Sequence, residues 1–406
     1  MLPGLPWRSD LRYHASDLTP MLRTMRALLA ASACTAVLAS APALAAPPAA
    51  EETTEETTVT TAQDDKPAPA VEFLKKVELS GIVDTYFTYN FNNPATGSYT
   101  PLRNFDVKHN QFSVGLVELA LNKAATSEER VGFRFDLGYG QVAQIFNSDP
   151  LDGNNLLNVQ QGYVSYVAPV GSGLTLDVGK FVTPIGTEPT ESKDNNNYSR
   201  AFLYALGPYY HVGARLGYTV NDKFSLGGMI VNGWNASGDN NSGKSFGVSA
   251  TFKPTSKVTI IQNLLTGPEQ NDNSDDFRTM SDTNLSVSLT DKVTTGLNYA
   301  YVKDTVAGED VSWQGLALYL RGQVTDVFAI APRFEIFNDD AGLVSGAVQK
   351  LREFTLTGEV KHSEGMLFRA EYRRDWSNID FFAKDGAAVD NQNTFTLAFV
   401  YSFSSK

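Results

Sequence analysis

From residue 77 to the end, apolar and polar residues alternate. In the run V-E-L-S-G-I-V-D-T-Y-F-T-Y-N-F, residues 77–91, the odd positions carry Val77, Leu79, Val83, Phe87, Tyr89 and Phe91, whereas the even ones carry Glu78, Ser80, Asp84, Thr88 and Asn90. A period of two sends successive side chains to opposite faces of an extended strand, giving one apolar and one largely polar face. The pattern recurs at 131–139, 293–301 and 366–373, and in the last run, T-F-T-L-A-F-V-Y-S-F at 394–403. Sixteen strands are expected, near 77–91, 109–123, 130–140, 157–168, 174–181, 209–220, 224–234, 245–253, 257–267, 277–289, 293–303, 312–322, 327–337, 351–362, 366–376 and 392–403. The weakest are 109–123 and 257–267.

The connections alternate between short and long. The short ones are 124–129, 169–173, 221–223, 254–256, 290–292, 323–326 and 363–365; between them lie longer stretches such as 92–108, 141–156, 182–208 and 377–391, rich in Asn, Asp, Gly and Ser. An up-and-down antiparallel sheet with tight turns at one end and long loops at the other predicts an all-β transmembrane barrel, with short periplasmic turns and long extracellular loops. A soluble barrel would turn its apolar face inward, but sixteen strands enclose a space too wide for those side chains to fill. Facing them to lipid and the charged face to a wet lumen removes that cost. Aromatics near strand ends, among them Tyr89, Phe91, Tyr139, Tyr299, Tyr301, Trp376, Tyr401 and Phe403, fit interfacial girdles.

Composition excludes the other classes. With 42% hydrophobic and 19% charged residues, the chain lacks the apolar runs of about 20 residues that helical membrane proteins need. Its 24 Phe and 17 Tyr are too many for a disordered chain. A net charge of −12 argues against nucleic acid as a partner.

The N-terminal segment reads as an export signal. From Met21, Arg23 and Arg26 precede an Ala/Leu-rich stretch ending A-L-A at 43–45, so residues 1–45 are expected to be removed after Ala45, with 1–20 an upstream mis-start. The sole cysteine, Cys34, leaves with the signal, and the mature chain carries 29 − 43 = −14. Residues 46–76, rich in Ala, Pro, Thr and Glu, are expected to be a flexible acidic periplasmic tether. The barrel occupies 77–403, and 404–406 form a short tail.

The stretch L-N-V-Q-Q-G-Y-V-S-Y-V-A-P-V-G-S-G-L-T-L-D-V-G-K-F-V-T-P-I-G-T-E, residues 157–188, resembles the β-barrel porins of the OmpL-like type from the Gram-negative outer membrane. V-N-G-W-N at 231–235, P-R-F-E-I-F-N-D at 332–339 and F-R-A-E-Y-R-R-D at 368–375 also match, in the same order along the chain. The resemblance implies a passive outer-membrane channel and names no particular solute. It departs at the end, where Ser404, Ser405 and Lys406 follow Phe403; barrels of this kind commonly finish on the aromatic itself.

No enzyme signature emerges. G-D-N-N-S-G-K-S at 238–245 matches a phosphate-binding loop, but that motif needs a helix after it, and here an alternating strand follows. His109, His211 and His362 stand at no metal-ligand spacing. No cofactor is expected. The competing readings are a barrel hydrolase using His211 with a Ser or Asp nucleophile, and an adhesion or scaffold protein working through its loops.

For a channel, the inward charges matter most. They include Asp84, Arg134, Asp136, Arg215, Arg321, Arg333, Glu335, Glu359, Arg369, Glu371 and Arg373, in a nearly balanced tally. Arg333 and Glu335 can pair with the 369–375 cluster only through the intervening strand, where Glu353, Glu359 and Lys361 are placed to bridge. The longest connection, 182–208, combines charges and amides in its middle with an apolar end at Phe202, Leu203, Tyr204 and Leu206. It is expected to fold into the lumen and narrow it, with Glu188, Glu191, Lys193, Asp194 and Arg200 near the constriction. The acidic tether and loops predict a weak, salt-sensitive cation preference. The expected partners are outer-membrane lipids, small hydrophilic solutes and, optionally, further copies of the chain.

Overall fold

The computed structural model describes residues 69–94, 99–149 and 158–406. The expected signal segment, Cys34 and most of the expected tether lie outside the described residues. Within them runs β1 (Glu78–Asn90), β2 (Gln111–Lys123), β3 (Val131–Tyr139), β4 (Val159–Ala168), β5 (Leu174–Val182), β6 (Tyr210–Asn221), β7 (Phe224–Val231), β8 (Ser245–Thr255) and β9 (Val258–Gln270). There follow β10 (Asn273–Ser288), β11 (Val293–Val306), β12 (Glu309–Gln323), β13 (Phe328–Asp339), β14 (Gln349–Lys361), β15 (Met366–Ser377), a small hairpin of β16 (Phe382–Lys384) and β17 (Ala387–Val389), and β18 (Asn391–Ser404).

Strands β1–β15 and β18 form one closed antiparallel barrel of sixteen, each paired to its neighbour in sequence. β18 returns to β1, with Ser80 opposite Ser404 and Asn90 opposite Thr394, so no edge is left with unpaired backbone. Among the described residues no helix is long and apolar enough to cross a membrane. The alternation sorts the faces as expected: Val83, Leu119, Val164, Val178 and Phe399 are exposed on the outside, while Asp84, Asp136, Glu335 and Glu371 are buried on the inside.

All sixteen strands lie where the alternation put them, with ends shifted by up to four residues. The two weak runs have separate causes. In β2 a bulge at Gly115 makes Asp84 face Leu116 while Thr85 faces Val114, so the alternation changes phase in mid-strand. In β9 the inward Leu265 joins an internal apolar cluster, which leaves both faces hydrophobic.

Several features differ from expectation. The connections expected at 268–276 and 304–311, counted among the long ones, are two-residue hairpin turns at 271–272 and 307–308, where Asp272, Ala307 and Gly308 adopt positive φ and let the strands extend. The tether's last eight residues form a helix, α1 (Pro69–Lys76), with Glu72 in its first turn and Lys75 and Lys76 in its last, matching the helix dipole. Helices α2 (Gln141–Phe146) and α3 (Phe202–Ala205) and the β16–β17 hairpin fold parts of the long connections. The interior is also less polar than the charge pattern implied: Ile82, Tyr86, Leu116, Trp313 and Tyr319 point inward and are buried. They are dry because the long connection between β5 and β6 packs onto them.

Candidate functional site

That connection, 183–209, leaves the top of β5 and is bonded to inward-facing groups of strands far from its ends. The Gly186 N–H donates to Asp282 of β10 at 3.1 Å, and the Thr187 hydroxyl bonds Asn284. Glu188 accepts from Arg333 of β13 at 2.7 Å. A single 3₁₀ turn, Ser192–Asp194, reverses the path. On the return, Asn197 donates to the Ala331 carbonyl and to Thr357, and the Tyr198 hydroxyl donates to Asp84 of β1 at 2.9 Å. Burial, and the Asp84 carboxylate beside it, hold the Tyr198 phenol well above its usual range, so it serves as a donor. The loop therefore lies across the interior, against the wall from β9 round to β1.

The wall grips this loop by its backbone. The two oxygens of Glu371 accept successive N–H groups, Tyr198 at 2.6 Å and Ser199 at 2.9 Å. Those of Glu335 accept Phe202 at 2.5 Å and Leu203 at 2.8 Å. Three arginines take carbonyls: Arg333 that of Ser199 at 2.7 Å, Arg369 those of Ser192 and Asn195, and Arg373 that of Arg200. A loop without regular hydrogen bonding can be buried only if its polar groups find such partners. The apolar end of the loop completes the contact: Phe202 and Leu203 join Phe181, Trp313, Phe337 and Phe382 in one buried cluster. It does not extend β6.

The same arginines form a continuous ion network across three strands. Arg333 Nε meets Glu353 at 2.7 Å, and Glu353 lies 3.6 Å from Arg373, which pairs with Asp375 at 2.6 Å. Asp375 also meets Arg103 from the β1–β2 connection at 3.1 Å. Lower in the barrel, Glu359 joins Arg321 at 2.9 Å to Arg369 at 2.8 Å. Glu353 thus bridges β13 and β15 through β14, Glu359 links β12 to β15, and Lys361 is exposed at the strand's end. Unpaired, these charges would be costly to bury; paired and hydrogen-bonded, they fix one geometry.

The remaining wall is different. Many inward positions of β6–β8 are small, Gly213, Gly217, Ser225, Gly227, Gly247 and Ser249, beside the larger Arg215 and Met229. Between them and the start of the loop lies a cavity of about 180 Å³, lined by Pro184, Ile185, Arg215, Ser249 and Asn263 among others. Arg215 pairs with Asp177 at 2.8 Å, and Arg134 with Asp136 at 2.6 Å.

Of the five loop residues expected near a constriction, Glu188 and Arg200 are buried and hold the loop's own fold: Glu188 accepts the Ala201 N–H, and Arg200 donates to the Tyr198 and Thr190 carbonyls. Lys193 and Asp194 are exposed and paired to each other, and Glu191 is partly exposed. Sequence reasoning missed Arg103, which sits in an irregular connection, and Glu118, whose face is obscured by the β2 bulge. His211 is fully buried, with its ring nitrogens on the Thr183 hydroxyl at 3.0 Å and the Gly233 carbonyl at 2.9 Å. The residues after the phosphate-loop match are β8, not a helix. Among the described residues no cluster could hold a metal ion.

Residues 76–403 match a family model described as "Putative beta-barrel porin-2, OmpL-like". The chain belongs to this family. It is therefore a porin of the bacterial outer membrane and forms an outer-membrane channel. Among solved structures the porin is similar in fold to an anion-selective porin from Comamonas acidovorans, at 13% identity and a TM-score of 0.55 over 80% of this chain and 99% of that one. It is similar to the outer membrane channel DcaP of Acinetobacter baumannii at 11% identity and a TM-score of 0.55, over 80% and 97%. OmpT of Vibrio cholerae in its trimer form gives 11% and 0.55, over 80% and 99%. No curated protein matches the porin's sequence.

Proposed function

We propose that this porin passes small hydrophilic solutes and ions by passive diffusion, through a passage bounded on one side by the inserted loop and on the other by β2–β8. The observation that carries the reading is the bonding of the loop to Glu335, Glu371, Arg333, Arg369 and Arg373, which holds it across the interior as a fixed partition. Two charge signs on the wall keep the passage wet. Lys193, Asp194 and Glu191 are the loop side chains that meet the solute. The protein acts as a channel and not as a catalyst; both nitrogens of His211 are engaged in seating neighbouring backbone and hydroxyl groups, which supports that reading. Its surroundings are outer-membrane lipids, and further copies of the chain are its candidate protein partners.

The test is uptake into liposomes containing the refolded protein. Small sugars and amino acids should enter, with rates falling steeply as solute size grows, and empty liposomes should exclude them. Liposomes that stay impermeable with a folded barrel inserted would refute the channel.

A further inference from the structure

The passage has an uneven electrostatic surface that the sequence tally hides. In four ion pairs on the barrel wall, the arginine is the more exposed partner: Arg134 at 24% against Asp136 at 1%, Arg215 at 27% against Asp177 at 12%, Arg278 at 19% against Asp304 at 1%, and Arg321 at 26% against Glu359 at 9%. Other wall carboxylates are withdrawn by neutral donors. Asp282 accepts the Gly186 N–H and the amides of Asn263, Asn284 and Asn298; Asp84 accepts Tyr198, and Glu118 is covered by Gln160. In these four pairs the fold covers the acid and leaves the guanidinium edge in the water.

Two of these arginines are built to receive something. Arg134 bonds Asp136 through Nε, and Arg215 bonds Asp177 through Nε, so among the described residues the terminal Nη1 and Nη2 groups of both have no hydrogen-bond partner. Both stand beside Tyr163 of β4. Arg134 is directly opposite it in the β3–β4 ladder, and the Arg215 guanidinium lies over its ring at 5.1 Å and over Phe181 at 4.6 Å. The Asp136 pair orients the Arg134 guanidinium, and the Asp177 pair with ring stacking fixes that of Arg215, so their open edges are pre-organised for a two-oxygen acceptor. Resting on the channel reading above, we infer that Arg134, Tyr163 and Arg215 form an anion-binding station on the passage wall that favours small carboxylate- or phosphate-bearing solutes. The facing loop groups are Glu191 and the mutually paired Lys193 and Asp194.

This reverses, at the passage, the cation preference expected from the acidic tether and loops. The two effects separate by salt: at 1 M the Debye length is about 3 Å, which screens distant mouth charges but not groups touching the passing ion.

The test is reversal potential in planar bilayers with about 1 M KCl on the concentrated side, where mouth charges are screened. Wild-type protein should favour chloride over potassium. R134Q/R215Q should lower that permeability ratio by about twofold or more, with unchanged heat-modified migration as the folding control. R134K/R215K should keep the chloride preference but lose block of the chloride current by millimolar inorganic phosphate, since an ammonium cannot present the bidentate edge. A wild-type channel that prefers potassium, or a glutamine variant with an unchanged ratio, overturns the station while leaving the channel intact. Failure of the wild type to conduct at all would instead count against the channel.

Discussion

Glu371 shows how single residues set the interior. Both of its oxygens are occupied by loop N–H groups in a fully buried place, so Glu371→Ala leaves two donors without acceptors. Each such orphan costs about 1–3 kcal/mol. The expected outcome is a barrel that still migrates as folded but is cleaved by added protease within residues 190–205; a loop as resistant as wild type would contradict this seating. Glu191 gives a pH prediction. Burial raises its pKa, with Lys193 lowering it and Asp194 and Asp136 raising it. The folded state therefore holds its proton at pH values where the unfolded chain has lost it, and the group's contribution to stability falls as pH rises through that range. On acidification the passage loses one negative charge before ordinary carboxylates titrate. Chloride preference should accordingly rise as pH falls from neutral, and E191Q should flatten that rise. At this scale the sequence was only half legible. Alternation placed Arg134, Arg215 and Glu335 on the inner face, but it carries no information on which partner of an ion pair is covered, nor on the hydrogen bonds by which Glu188 and Arg200 hold the loop's own fold.

Elements were the most legible scale, because a transmembrane strand must repeat one pattern along its length. The strands emerged even at β2, where the Gly115 bulge blurs the period. The short helices and the β16–β17 hairpin did not emerge, since connections are shaped by what they pack on rather than by a period of their own. The β6–β8 wall supports a sharper prediction. A Cβ added at Gly217 would meet nothing within 4 Å, and the position faces inward, two residues after Arg215. Gly217→Trp should therefore be tolerated by the fold and should lower single-channel conductance several-fold. Unchanged conductance in this variant would mean that ions travel elsewhere.

As a whole, the molecule is a closed sheet whose edges are used up and whose two ends differ. Both ends of the barrel chain, Glu78 and Ser404, meet at the short-turn end, where Ser404 donates to Glu78 at 2.6 Å. An exported chain is expected to be cleaved after Ala45 and to begin at Ala46; N-terminal sequencing of protein from outer membranes checks this. The central claim is that the inserted loop, and not the barrel's width, sets the size of the passage. Deleting residues 188–200 removes the turn and much of the gripped backbone while leaving every strand intact. Single-channel conductance of this variant, beside wild type and with heat-modified migration as the folding control, tests the claim directly. A folded variant with clearly larger conductance is the result predicted here; a folded variant with the conductance of the wild type would contradict it.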